Sequence, residues 1–261
     1  MSKKYTKEQV INLKKIGFKN MNSLLESLIA DSSSNDSLKK AALISKWLKQ
    51  YAGYVSFEKS FNPKKNIAYK RGDIVFANFG FNIGAELGGE HYAVVLDKAN
   101  DHASSTITVI PLTSSKPGKP IHPNDVFLGN ELFEKLHLKF KTILPQLKEK
   151  QASNEMMLEL VKEKHSSLEN SDKSIVELEE LITKLETQTL ELASEIENAE
   201  KLKEEILSLK QGSIAKIQQI TTISKMRIYN PKNASDPLYG IKFSEATMDK
   251  INDKIKNFFV F

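Results

Sequence analysis

Five histidines and no cysteine define the chemistry open to this 261-residue chain. Without thiols, catalysis falls to His, Thr, Ser, carboxylates and amines, and disulfides and thiolate zinc sites are excluded. His91 stands in GGEHYAVV, directly after a glycine pair and at the head of an apolar run; His102, His122, His137 and His165 stand in no motif and read as surface residues. An imidazole exchanges protons near neutral pH, which suits His91 to general acid or base work. At a strand start it can equally be a satisfied structural residue.

The elements that must position such groups fall into three parts. In residues 1–66, Thr6-x-x-Gln9 is a capping-box pattern followed by apolar residues at helical spacing, broken near Gly17, which predicts two short helices. After the polar segment 31–37, Asp36 or Ser37 can cap a further helix carrying Leu43, Ile44, Trp47 and Leu48 and ending near Gly53.

From about Ile67 the character changes: IVFANF, YAVVLD, TITVIPLT and DVFL are rich in β-branched and aromatic residues and are separated by turn formers. Strand character returns at SIAKIQQITTIS, and Ser244-x-x-Thr247 opens an amphipathic helix with Met248, Ile251, Ile255 and Phe258 on one face. Neither flank alone has the strands to close a core, so 67–130 plus 212–261 are expected to form one split β domain.

Between the flanks, residues 131–211 are rich in Leu, Glu and Lys. Ile175, Ile182, Thr189 and Ile196 hold one heptad position, and Leu178, Leu185, Leu192 and Ala199 the other. The first half is weaker: Leu136, Ile143 and Met157 against Phe140, Leu147, Val161 and Leu168, with Pro145 expected to kink or start a helix. A polar stretch, ENSDK, precedes the Ser174-x-x-Glu177 capping box. Together these predict an antiparallel coiled-coil hairpin with arms of about 50 Å.

Charge follows the same division. Residues 1–70 carry net +9, 71–130 net −2, 131–211 net −6 and 212–261 net +4. A basic head and an acidic middle share one chain, and the basic parts are the natural place for phosphate contacts. No apolar run approaches the roughly 18–20 residues of a membrane span, and the N-terminus lacks the apolar core of a secretory signal, so a cytoplasmic protein without membrane contact is expected.

Three blocks carry a resemblance: KRGDIVFANFGFNIGAELGGEHYAVVL (70–96), TITVIPLTSS (106–115) and QITTISKMRI (219–228). They resemble, in order, the first strand and long loop, the threonine-ending strand, and the late strand and turn of the MazF/PemK (Kid-like) toxins. The resemblance implies an α+β fold: a small antiparallel β-barrel with a C-terminal helix, here extended by the N-terminal helical segment and the inserted hairpin. It also implies a homodimer, an antitoxin protein as partner, no cofactor or metal, and cleavage of single-stranded RNA by attack of the ribose 2′-OH on the adjacent phosphate.

The site residues carry over one by one. His91 stands where most members have a catalytic arginine, and its imidazole is compatible with proton transfer in RNA cleavage. Thr113 matches the threonine that contacts the scissile phosphate, with Ser114 as a second donor, although a Thr-Ser pair closing a strand is also ordinary turn chemistry. Glu86 aligns with the family's loop glutamate, as partner base or as a solvated carboxylate. Lys216 and Gln218 fall where some relatives place an arginine and an aspartate; the lysine keeps positive charge, but the glutamine cannot titrate. Arg71 and Arg227, the only arginines, either bind phosphate bidentately or fix strand ends. Phe81, in the loop, is the aromatic placed to stack on a base. The missing arginine leaves a competing expectation, a catalytically inactive module like the topoisomerase-binding toxins of the same fold, acting on a protein partner through the hairpin.

Overall fold

A computed structural model describes residues 4–31, 35–116, 118–166, 172–208 and 212–260. The chain divides into two compact units, residues 1–61 with 79–89 and residues 62–78 with 90–261.

In the first unit, α1 (Lys7–Ala30) packs on α2 (Asn35–Phe57). The capping box forms: Thr6 Oγ1 accepts from Gln9 N at 3.2 Å, and Gln9 Oε1 accepts from Thr6 N at 3.0 Å. Contrary to the expected pair of short helices, α1 runs unbroken through Gly17. A mid-helix glycine costs about 1 kcal/mol, a penalty that a helix of 24 residues absorbs. Likewise α2 passes Gly53 and ends four residues later. The segment 79–89 closes on itself: Phe79 N donates to Gly89 O at 2.7 Å and Gly89 N to Gly80 O at 2.6 Å, while Asn82 Nδ2 donates to Phe79 O and Leu87 O. Gly88 is required here, since an added Cβ would lie 2.6 Å from Gly80 O.

The second unit is built on an antiparallel sheet of seven strands: β1 (Ile74–Asn78), β2 (Glu90–Val95), β3 (Thr106–Ser114), β4 (Val126–Gly129), β5 (Ser213–Ala215), β6 (Thr221–Ser224) and β7 (Ile228–Asn230). Their order is β4-β5-β3-β2-β1-β7, with β6 also paired to β3. Strands from both sides of residues 131–211 therefore share one sheet. The expected barrel is corrected: β4 and β7 end the path without pairing, so the sheet stays open.

One face of the sheet carries Ile74, Val94, Ile110, Leu112, Leu128 and Ala215, packed in a common core with Leu132, Leu136 and Phe140 of α3 (Glu131–Ser166) and Ala199 and Ile206 of α4 (Asp172–Ser208). The C-terminal helix α5 (Glu245–Phe259) adds Met248 and Ile251 to that core with Ile255 packed against it, whereas Phe258, expected on the same face, is 38% exposed. Ser244 caps α5, and the Glu131 carboxylate reinforces the cap by accepting from Ser244 N at 2.6 Å and from the Thr247 hydroxyl.

Helices α3 and α4 lie antiparallel, because partners step backward along α4 as they step forward along α3: Lys148 with Glu200, Asn154 with Thr189, Lys162 with Glu186 and His165 with Glu179. Every predicted seam position of α4 from Ile175 to Ala199 is buried or half-buried, and the residues between them are exposed. On α3 the predicted seam is wrong at Met157, which is 53% exposed; Leu158 takes its place, continuing the three-four spacing through Asn154 and Val161. Helix α3 also continues through Pro145 and does not start there. The proline removes one intrahelical donor, but Leu144 and Leu147 on either side are packed against the core and hold the turn. Leu168 and residues 169–171 of ENSDK fall outside what the structure describes, and α4 begins at Asp172, so Ser174, expected as its cap, lies within the helix instead. Among the described residues no helix is long and apolar enough to cross a membrane.

Candidate active site

His91 is the second residue of β2 and lies opposite Ala77 of β1. The β2–β3 pairing sets Ala93 opposite Pro111. Two residues further on each strand, period-two alternation brings His91 and Thr113 onto the same face of neighbouring strands, at the end where β2 begins and β3 finishes. Thr113 is in turn opposite Ile214 of β5, and Ile214 opposite Phe127 of β4. Two rows therefore lie on the face opposite the core layer of Leu112, Ala215 and Leu128: Ala77 with His91 across β1 and β2, and Thr113, Ile214 and Phe127 across β3, β5 and β4. Over the two rows burial falls from complete at Ala77, through half-buried His91, Thr113 and Ile214, to 49% exposure at Phe127. A proton carrier and a hydroxyl donor on the same face and at the same end of neighbouring strands suit action on a phosphodiester.

Alternation turns Ser114, which is exposed and opposite Ser213, away from the face of Thr113. The backbone behind it is fixed, since Ser115 N donates to Gly212 O at 2.8 Å. Gly212 has φ of +92°, and a Cβ there would sit 2.8 Å from Phe127 Cε2, so only glycine lets β4 and β5 approach as they do.

The remaining candidates take different places. Lys216, just past β5, forms an ion pair with Asp125, Nζ to Oδ2 at 2.5 Å; the aspartate side chain is 4% exposed and the lysine 30%. Asp125 is a partner that sequence reasoning missed, and its only signal is its place before the VFL of β4. Gln218 is exposed in the short 3-10 turn Ile217–Gln219. Arg71 donates to Leu96 O and Asn252 Oδ1, and Arg227 Nε donates to Asn78 O at 2.6 Å. Both guanidinium groups hydrogen-bond to backbone carbonyls at strand ends. In the first unit, Glu86 is exposed and its carboxylate accepts from Ile83 N at 3.4 Å, while Phe81 is half-buried.

The other histidines divide. His102 is exposed with Nδ1 3.0 Å from Asn66 O, and His122 is exposed with Nδ1 3.2 Å from Asn124 N. His137 and His165, expected at the surface, are half-buried, His137 stacked on Phe133.

Residues 70–148 match the family described as PemK-like, MazF-like toxin of type II toxin-antitoxin system. The match is to the PemK/MazF family. This toxin segment spans less than half of the chain, from the residue before Arg71 through β1–β4 to the first half of α3. It contains Arg71, Phe81, Glu86, His91, Thr113 and Ser114. Lys216, Gln218 and Arg227 lie beyond it, as do α1, α2, α4 and the strands that complete the sheet. No curated protein matches the chain.

Proposed function

We propose that this chain is an endoribonuclease toxin, part of a toxin–antitoxin or phage-defence system, that cleaves single-stranded RNA. The observation that carries the reading is the placement of His91 and Thr113 on one face of adjacent strands within the PemK/MazF segment. The ribose 2′-OH attacks the neighbouring phosphorus, the bond to the 5′-oxygen breaks, and the products are a 2′,3′-cyclic phosphate and a 5′-hydroxyl. His91 transfers a proton at one of the two oxygens, and the Thr113 hydroxyl donates to a non-bridging oxygen as negative charge gathers there. The toxin acts as a cytoplasmic homodimer, needs no metal, and is neutralised by an antitoxin protein.

The test is incubation of the purified chain with a long single-stranded RNA in the presence of chelator. Fragments bearing 5′-hydroxyl ends are expected from the wild type, with a loss on the order of 100- to 10,000-fold for His91→Ala. Equal activity of the two proteins, or equal inactivity across varied RNAs, would sink the assignment; capture of a protein partner without any cleavage would instead support the binding-module reading.

A further inference from the structure

Phe127 ends the row that runs from Thr113 through Ile214. Its neighbours along β4 are used otherwise: Leu128 enters the core on the opposite face, and Val126 packs against that core. Phe127 alone turns its ring outward, 49% exposed, on the face that carries Thr113. An isolated exposed apolar residue is ordinary. This one differs in how its ring is held. The ring lies against Gly212, a residue whose φ of +92° and missing Cβ leave room for it. A flat apolar surface is thereby fixed in position rather than swinging on a loop, two strand spacings or about 10 Å from Thr113. That is a span one nucleotide's sugar and base can cross from a phosphate at the threonine.

We propose that Phe127 is a stacking platform for a base adjacent to the scissile phosphate, so that the row on β3, β5 and β4 binds a single strand running across the sheet. This rests on the RNA-cleavage reading above. A ring on a strand offers its π-face to any base, whereas a duplex keeps its bases inside, so the platform selects unpaired RNA without selecting sequence. The Thr113 hydroxyl fixes the phosphate and the ring fixes the base beyond it.

The experiment uses the full chain and an RNA spanning a site that the wild type cuts, with a 2′-deoxy ribose at the attacking position to block cleavage. Binding is read by fluorescence anisotropy for wild type, Phe127→Leu and Phe127→Trp. The leucine keeps the apolar packing on Gly212 and lacks the aromatic face. Binding roughly tenfold weaker for Phe127→Leu and retained for Phe127→Trp is the expected result. Replacing the stacked base by an abasic ribose should erase the difference between wild type and Phe127→Leu. A leucine variant that binds as tightly as wild type overturns the proposal, and so does one that changes oligomeric state on gel filtration, because the ring is then a subunit contact. If the wild type cuts no RNA, the cleavage reading falls and this proposal with it; if both proteins cut and bind alike, only the platform falls.

Discussion

Lys216 and Asp125 form an ion pair across the β4–β5 edge, 2.5 Å from Nζ to Oδ2, with the carboxylate almost wholly enclosed. The lysine that sequence would assign to a phosphate already has an anion.

Lys216→Met should therefore destabilise the fold by about 1–3 kcal/mol, by stranding a buried carboxylate. Pairing it with Asp125→Leu should recover part of the loss. The check is the urea midpoint of the single and double variants. Unchanged stability with weaker RNA binding in Lys216→Met would instead return the ammonium to the phosphate.

Thr113→Val keeps the shape and β-branching that a strand favours and removes the hydroxyl. Cleavage should fall on the order of 100-fold in kcat with little change in KM, because the donor acts on charge that develops only during the reaction. Thr113→Ser should restore most of it. Single-turnover rates of the three proteins decide, and a valine variant with wild-type rate would remove Thr113 from the chemistry.

Glu131 links the start of α3 to the cap of α5. Burial pushes its carboxyl pKa up, but the Lys135 ammonium at 2.6 Å, the Thr247 hydroxyl and the Ser244 amide outweigh burial and hold it below the ordinary range. A folded-state pKa lower than the unfolded one gives stability that is present above about pH 4.3 and is lost as pH falls through the folded value. Glu131→Gln should lower the melting temperature at pH 7 and narrow its gap to wild type as the solution is acidified below pH 4. A gap that widens on acidification would contradict this.

Within the helical pair, Asn154 Nδ2 donates to Leu185 O at 3.0 Å and to Thr189 Oγ1 at 2.8 Å. A part-buried amide satisfied by the opposite helix costs stability and fixes register. Asn154→Leu should raise thermal stability while loosening the pairing, seen as faster amide exchange near the tip of the pair. Lower stability with unchanged exchange would assign the amide a purely stabilising role.

Legibility in the sequence followed the range of the forces. The α4 seam was readable from Ile175 to Ala199 because its period is set by one helix packing on another. The capping box at Thr6 and the N-cap at Ser244 were readable because four consecutive residues contain each. His91 and Thr113 were visible as motif residues, but their common face follows from pairing of β2 with β3, which no local pattern states. The barrel was expected from resemblance, and closure depends on whether β4 and β7 meet. Lys225 shows the limit best: in a lysine-rich chain nothing marks it, yet its side chain is fully buried, with Nζ donating to Asp101 O at 2.8 Å and lying 5.6 Å from the centre of the Tyr69 ring. Its partners stand 124 and 156 positions away.

The helical pair leaves the sheet after β4 and returns at β5, and those two strands are hydrogen-bonded neighbours with Gly129 opposite Ser213. The excursion begins and ends side by side, as an ordinary turn would. Its length is therefore a free variable in the history of the chain: turns can be added or lost at the far end, two at a time, without changing strand order or register. Only the stretch that supplies Leu132, Leu136, Phe140, Ala199 and Ile206 to the core is bound to the fold. Beyond it, the arms can lengthen, shorten or acquire new surfaces at a pace of their own.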